Sequence, residues 1–134
     1  MMKFETSLTT RFCESDYMGH ISNISYFIYF EVARVNFLSG LGISTVDEHW
    51  DFIIASIKCD FVKQIYVNRT IQIETQVKRI GNKSISLAHR LYNEQGELAA
   101  SVDEVVVRFN RGSQSSVPLE PDMMEKLQPY LAEE

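Results

Sequence analysis

The sequence predicts an α+β domain in which one antiparallel sheet wraps around one long central helix. Two observations lead to this prediction. A helical segment from about residue 23 to residue 39 carries apolar side chains in nearly every direction, which is typical of a buried helix. Most of the remaining chain consists of strand-like segments separated by short turns, which is typical of antiparallel hairpins.

The first elements follow from alternation and capping. Residues 3–12 alternate, which predicts a half-buried strand; its buried face carries Phe4, Thr6, Leu8, Thr10 and Phe12. A polar loop, Cys13–Ser22, comes next, and Ser22 or Asn23 is placed to cap the helix that follows. Gly40 and Gly42 end that helix, as glycines after a last helical turn commonly do.

The second half of the chain reads as hairpins. Strands are predicted over 52–65, 70–79, 84–92 and 98–109, with Gly81-Asn82 and the segment NEQGE at 93–97 as turns. Residues 113–134 are predicted as a linker followed by a short tail helix, because their first part is rich in Ser, Gly and Pro. Residues 1–112 then form a single domain.

Composition excludes several classes of protein. The 134 residues carry a net charge of -5, which argues against a nucleic-acid-binding protein. No apolar run reaches the length of a membrane helix, and the N-terminus lacks a signal-peptide pattern, so we expect a cytoplasmic protein. Three scattered histidines, His20, His49 and His89, predict no metal site. Cys13 and Cys59 are interpreted as reduced, structural thiols.

Asp16 is the first candidate for chemistry. It precedes a helix start, where backbone N–H groups lack intrahelical partners and the helix dipole is positive. Such N–H groups bind a carboxylate, a phosphate or a developing oxyanion. A carboxylate beside them has the parts needed for acyl transfer, although an Asp in this position often serves only as a cap or turn residue.

The segment around Asp16 resembles a known family. The pattern D-x-x-G-H-x-x-N-x-x-Y, followed by Y-F-E-x-A-R, resembles the 4-hydroxybenzoyl-CoA thioesterase family of hotdog-fold proteins. The matching residues are Asp16, Gly19, His20, Asn23, Tyr26, Tyr29, Phe30, Glu31, Ala33 and Arg34. The similarity extends more loosely over residues 3–111. Ser22 stands where many relatives carry a second Asn.

The resemblance implies a hotdog fold and an acyl-CoA thioesterase. It implies that Asp16 acts as base or nucleophile toward the thioester carbonyl, and that the backbone N–H groups of Asn23 and Ile24 polarise that carbonyl. Its implied substrate is an acyl-CoA, and the sequence leaves open an acyl carrier protein as the alternative carrier of the acyl thioester. No cofactor is implied. Because the family's site forms between protomers, it also implies a homodimer or a tetramer of dimers.

Further candidates come from position and charge. His20 is a candidate for orienting the loop or contacting substrate, Glu31 for a supporting role next to Arg34, and Tyr26 for offering its hydroxyl to substrate. The phosphates of the nucleotide end are expected near basic side chains. These are Lys58, Lys63, Lys83, Arg108 and Arg111.

Three alternatives remain open at this level. The first is a hotdog dehydratase or hydratase acting on acyl thioesters, whose usual motif this chain lacks. The second is a non-catalytic protein that binds acyl-CoA or an aromatic ligand, because a fold alone does not establish activity. The third is a nucleophile–base pair formed by Cys59 and His89, which no motif supports. An acyl pocket lined by the aromatic residues of the central helix would suit both aryl and fatty acyl groups.

Overall fold

The computed structural model describes residues 2–43 and 49–133 and confirms the predicted α+β architecture. Six strands form one antiparallel sheet in the order β1-β3-β4-β5-β2, with the short β6 paired to β5. The elements are β1 (Phe4–Thr9), α1 (Asn23–Gly40), β2 (Trp50–Phe61), β3 (Thr70–Ile80), β4 (Ser84–Tyr92), β5 (Leu98–Asn110), β6 (Ser115–Ser116) and α2 (Pro121–Leu127), with 3-10 turns at Phe12–Glu14 and Gln128–Tyr130.

The sheet is built from consecutive hairpins with β2 added at one side. Strands β3 and β4 pair up to Ile80 opposite Ile85, and the Gly81 N–H donates to the Ser84 carbonyl at 2.8 Å to close the predicted turn. Strand β5 lies between β4 and β2. Strand β2 therefore forms one edge of the sheet and β1 the other.

Helix α1 packs against the inner face of the sheet on one side only. Its buried side chains include Tyr29, Phe30 and Phe37. The opposite side remains apolar and exposed: Ile24 is 75% exposed and Ile28 is 47% exposed. The expectation of a helix buried on every side is therefore wrong for one protomer, because a single curled sheet covers only one side of it.

The first strand ends earlier than its alternation predicts. Strand β1 stops at Thr9, and Phe12, predicted on the buried face, is 83% exposed. The chain turns into a 3-10 helix at Phe12–Glu14, whose capping box joins Arg11 to Glu14. That turn breaks the period of two and rotates Phe12 out of the core.

The tail packs onto the same core. Strand β6 pairs with the end of β5, and Leu119, Met123 and Leu127 are buried beside Phe37 of the central helix. The Ala132 N–H donates to the Val77 carbonyl at 2.8 Å, which covers the edge of β3 beyond the end of β1. In the described residues, no helix combines the length and the apolar content needed to cross a membrane.

Candidate active site

The loop before α1 is a closed hairpin. The Asp16 N–H donates to the His20 carbonyl at 2.7 Å, the Ser22 N–H donates to the Glu14 carbonyl at 3.0 Å, and Ser15 pairs with Ile21 between them. Gly19 has a φ of +84°, a conformation that glycine adopts without strain and that lets the turn close. We call residues 14–22 the lip.

The lip is also tied to the chain that leaves β2. The Ile21 N–H donates to the Ile65 carbonyl at 2.9 Å, and His20 forms an antiparallel bridge with Tyr66. The two rings of that bridge meet edge to face, with centroids 5.3 Å apart. The loop that is polar in sequence is thus held by backbone pairing on two sides.

The Asp16 carboxylate is oriented by its own loop. Oδ1 accepts hydrogen bonds from the Met18 N–H at 2.8 Å and the His20 N–H at 3.2 Å. Oδ2 has no hydrogen-bond partner among residues 2–43 and 49–133, and the side chain is exposed. One carboxylate oxygen is therefore anchored while the other is open to water or a ligand.

The start of α1 offers unpaired donors. Ser22 is the N-cap residue, but its hydroxyl makes no capping hydrogen bond, so the expected capping by the Ser22 side chain is wrong. The Ser25 N–H donates to the Ser22 carbonyl at 2.9 Å, whereas the N–H groups of Asn23 and Ile24 donate to no acceptor in the described chain. Both residues are exposed, so these donors, at the positive end of the helix dipole, face outward.

A small cavity adjoins this helix start. Its volume is about 140 Å³, and it is lined by Asn23, Tyr26, Phe61, Val62, Lys63 and Gln64. The Tyr26 hydroxyl, predicted to reach substrate, donates to the Lys63 carbonyl at 3.2 Å. Burial raises the pKa of Tyr26 above its usual value. Tyr26 therefore contributes the wall of this cavity, and its hydroxyl is engaged with the backbone.

Glu14, the first residue of the lip, is buried, with 8% of its surface exposed. Its carboxylate accepts hydrogen bonds from the Tyr29 hydroxyl at 2.8 Å, from the Arg11 N–H at 2.7 Å and from the Arg11 guanidinium at 3.0 and 3.1 Å. Burial alone would raise the pKa of Glu14, but these donors outweigh it and hold the pKa below its usual value. Burial and the neighbouring carboxylate raise the pKa of Tyr29.

Glu31 lies on the exposed side of α1, two turns from the helix start. Its carboxylate is 3.7 Å from the Arg34 guanidinium, and its side chain is 63% exposed. Arg34 is itself almost buried, because its guanidinium donates to the buried Glu104 carboxylate at 3.1 Å. Glu31 therefore sits at the exposed end of an ionic chain that runs into the core.

That chain ends on two further buried groups. His89 Nε2 lies 2.8 Å from a Glu104 oxygen, and His89 Nδ1 lies 2.8 Å from the Thr75 hydroxyl. Both ring nitrogens are engaged, so His89 is not placed to activate Cys59. Burial raises the pKa of the Cys59 thiol to about 11, which argues against a reactive thiolate.

The predicted phosphate-binding residues fall at separate places. Lys58 lies on the outer face of the sheet in a hollow of about 410 Å³ that it shares with Lys78 and Arg79. Lys63 lines the cavity at the helix start and pairs with Glu97. The structure does not bring Lys58 and Lys63 into one cluster.

The remaining basic candidates have other contacts. Lys83 is exposed in the β3–β4 turn. The Arg108 guanidinium lies 4.7 Å from the centroid of the Trp50 ring and donates to the Pro118 carbonyl at 2.7 Å, which fastens the tail to the sheet. The Arg111 guanidinium donates to the Trp50 carbonyl at 3.4 Å. In the part of the chain that the structure describes, no cluster of His, Cys, Asp or Glu could hold a metal ion.

Comparison with known proteins identifies the family of this chain. A model of the thioesterase-like superfamily matches residues 10–127. The chain belongs to the thioesterase-like superfamily. That match spans the lip, the central helix, strands β2 to β6 and α2, so the elements that build the candidate site lie within the family region.

Two individual proteins are similar to this chain over part or most of its length. The uncharacterized protein YsmA of Bacillus subtilis (strain 168) is 27% identical over 114 residues, which cover 85% of this chain and 78% of YsmA. The acyl-CoA thioesterase YbgC of Helicobacter pylori (strain ATCC 700392 / 26695) is 28% identical over 79 residues, which cover 59% of each chain.

Solved structures confirm the hotdog fold. A predicted thioesterase from Bacillus stearothermophilus superposes with a TM-score of 0.87 at 26% identity, covering 99% of both chains. The DHNA-CoA thioesterase from Staphylococcus aureus superposes with a TM-score of 0.90 at 24% identity, covering 96% of this chain and 91% of that one. The predicted fold class is therefore confirmed.

Sequence reasoning found the lip and the helix start but missed two buried carboxylates. Glu14 was not singled out, and neither was Glu104. For these two carboxylates, the i,i+3 spacing of Arg11 and Glu14 was the one local sign of an ion pair. The Glu14–Tyr29 and Arg34–Glu104 contacts join residues 15 and 70 positions apart, and no local pattern reports such distances.

Proposed function

We propose that this protein is an acyl-CoA thioesterase, which hydrolyses a thioester to free coenzyme A and a carboxylic acid. One observation carries the proposal: an oriented carboxylate with one open oxygen, at Asp16, precedes a helix start with two unpaired N–H donors, at Asn23 and Ile24. These are a general base and an oxyanion site, the two parts that hydrolysis of an activated acyl group needs.

In the proposed reaction, Asp16 Oδ2 takes a proton from water as the water oxygen attacks the thioester carbonyl carbon. The carbonyl electrons move onto oxygen, and the Asn23 and Ile24 N–H groups stabilise that oxyanion. The tetrahedral intermediate collapses, the C–S bond breaks, and the thiolate takes the proton back. In the nucleophilic route, an Asp16 carboxylate oxygen attacks the carbonyl carbon, and the C–S bond breaks to release the thiolate and leave a mixed anhydride. Water then hydrolyses the anhydride to the carboxylic acid and free Asp16, and the thiolate takes up the proton that is released.

The proposal is tested with a screen of aryl- and fatty acyl-CoA substrates, followed by release of free thiol. Replacing Asp16 by Asn keeps the hydrogen bonds to Oδ1 and removes the base, so turnover should fall about 10²–10⁴-fold. Asp51→Asn is the matched control, because Asp51 Oδ1 also accepts a backbone N–H, from Phe52 at 2.7 Å. Normal turnover in folded Asp16→Asn would remove Asp16 from the mechanism.

The same screen separates a catalyst from a binding protein. The catalytic proposal expects thiol release in the wild type. Tight binding of an acyl-CoA with no thiol release from any substrate would instead favour the non-catalytic alternative. Release of an enoyl thioester from a hydroxyacyl-CoA would favour the dehydratase.

We also propose that a second copy of the chain completes the site. Large exposed apolar side chains line the exposed side of α1, the edge strand β2 and the residue after it. They are Ile24, Phe27, Ile28, Val35, Ile54, Ile57, Phe61 and Val62. An edge strand can extend its sheet across a partner. Strand β5 is interior to the sheet, so its neighbour β2 is the strand available for such pairing.

The nucleotide end of the substrate is proposed to lie near Lys58, because Arg79 lines the same hollow together with Lys78, which is paired with Asp103. Contacts between phosphate and exposed lysine weaken with salt. Lys58→Ala should therefore raise KM for acyl-CoA, and less so at high salt. It should leave hydrolysis of the N-acetylcysteamine thioester, which lacks the nucleotide, unchanged. An equal effect on both thioesters, or an effect equal to that of Lys126→Ala in α2, would contradict this placement.

A further inference from the structure

We propose that Glu14 is the positioning residue of the site: it clasps two successive turns of α1 and so fixes where Asp16 stands relative to the helix-start N–H groups. This inference rests on the proposed function, because it assigns Glu14 a role in turnover. Glu14 itself touches no substrate in this mechanism. Its carboxylate is saturated by protein donors and its side chain is buried.

The first attachment is through the backbone. The Glu14 carbonyl accepts the Ser22 N–H at 3.0 Å and the Ser25 hydroxyl at 2.9 Å. Ser25 is in the first turn of α1, and its hydroxyl is buried. The base of the lip is thus bonded directly to the turn whose N–H groups are proposed to bind the oxyanion.

The second attachment is through the side chain. The Tyr29 hydroxyl, one turn further along α1, donates to Glu14 Oε1 at 2.8 Å. Ser25 and Tyr29 are four residues apart, so they lie on the same side of the helix. Two attachment points along the helix axis fix the orientation of the lip relative to α1 as well as its position. A single hydrogen bond would fix the position alone.

Arg11 completes the clasp from the other side. Its guanidinium meets Glu14 Oε2 twice and its N–H meets Oε1, so the carboxylate is charge-balanced although it is buried. The Arg11 side chain is 71% exposed. Because the pKa of Glu14 is held below its usual value, the carboxylate stays ionised and keeps accepting at neutral pH.

The backbone hydrogen bonds across the lip transmit this constraint to Asp16. Asp16 lies two residues after Glu14, and its N–H pairs with the His20 carbonyl at 2.7 Å. A rotation of the lip about the helix would therefore move the carboxylate and leave the oxyanion donors in place. Misplacement of a catalytic group by about 1 Å can cost about 10²-fold in rate.

The test compares Glu14→Gln and Tyr29→Phe with a matched pair elsewhere. The Glu74 carboxylate likewise accepts a hydrogen bond from a tyrosine hydroxyl, that of Tyr92 at 3.0 Å, and forms an ion pair with Lys3 at 3.7 Å. Glu74→Gln and Tyr92→Phe are therefore the controls. Glu14→Gln should lower kcat about 10–100-fold and leave KM within about twofold. Tyr29→Phe should lower kcat less, and the double variant should be non-additive. The controls should leave kcat unchanged.

A second readout needs no substrate. The Met18 and His20 N–H groups donate to Asp16, so their amide hydrogen exchange reports the order of the lip. Exchange should be faster in Glu14→Gln and in Tyr29→Phe than in the wild type. If Glu14→Gln does not fold, Tyr29→Phe, which removes a single hydrogen bond, carries both measurements.

The outcomes separate the two ideas. Wild-type kcat in folded Glu14→Gln overturns the positioning role. So does a fall in kcat that accompanies a fall in Tm while amide hydrogen exchange at Met18 and His20 stays at the wild-type rate. If no acyl-CoA is hydrolysed by the wild type, the proposed function fails on its own. The exchange measurement then still decides whether Glu14 fixes the lip: unchanged exchange at Met18 and His20 overturns it.

Discussion

Removal of one buried charge should expose how strongly the ionic chain of the core stabilises the fold. The Glu104 side chain is fully buried and meets the Arg34 guanidinium at 3.1 Å; Arg34 is only 11% exposed. Glu104→Gln keeps the shape and removes the charge. Among the described residues, it leaves Glu31, at 3.7 Å and largely in solvent, as the one carboxylate paired with Arg34.

The expected magnitude follows from this burial. Breaking a buried ion pair by removing one partner costs about 3–5 kcal/mol. A chain of 134 residues unfolds with an entropy of about 0.28 kcal/mol/K, at about 2.1 cal/mol/K per residue. The loss therefore corresponds to a Tm lower by about 11–18 °C.

The assay is thermal unfolding at fixed protein concentration, with Asp103→Asn as control. Asp103 is the preceding residue of β5, but it points outward and pairs with Lys78 at 3.3 Å with both side chains about half exposed. A surface pair of this kind is worth about 0–1 kcal/mol. Equal Tm values for Glu104→Gln and Asp103→Asn would refute the reasoning, because burial would then not decide the cost.

Three further predictions concern charge, assembly and thiol chemistry. The Glu14 carboxylate contributes its full stability above its ordinary pKa of 4.5, and this contribution is lost as pH falls through the lower pKa of the folded state. The difference in free energy of unfolding between wild type and Glu14→Gln should therefore narrow below about pH 4.5. A difference that stays constant with pH in urea titrations would contradict this. Phe27→Asp should shift sedimentation at micromolar concentration from a dimer or tetramer to a monomer with lower turnover, because Phe27 and Ile57 lie on the exposed apolar face; an active wild-type monomer would count against assembly. At pH 8, iodoacetamide should label exposed Cys13 well before Cys59, whose pKa is raised to about 11; equal rates by mass spectrometry would contradict this.

Local patterns were sufficient for most elements of the fold, although the strand predicted over 52–65 ends at Phe61. Alternation located β3, β4 and β5 to within a residue or two, because one face of each strand is buried and the other is not. The apolar run of α1 and the glycines after it located the helix. Prediction failed where a local turn overrode the period, as at Phe12, whose position is set by the Arg11–Glu14 capping box.

The candidate site divides in the same way. Asp16, Asn23 and Ile24 are recognisable in sequence because their roles depend on position next to a helix start, which is a local property. The resemblance of this segment to a thioesterase family was confirmed by the family match over residues 10–127. The catalytic roles of these residues stay predictions until the variants are measured.

What the sequence determined by itself was the set of elements, the lip and the family, since each is written in spacings of a few residues. Tertiary structure alone decided which carboxylates are buried and what they hold. Glu14 meets Tyr29 only after the loop before α1 folds back on the helix, and Glu104 meets His89 only after β4 pairs with β5. Glu104 meets Arg34 only after the helix lies across the sheet. It also decided that α1 keeps an apolar side exposed. The physical reason is that burial and ionic pairing depend on distances in space, and the sheet sets those distances by bringing together strands far apart in the chain.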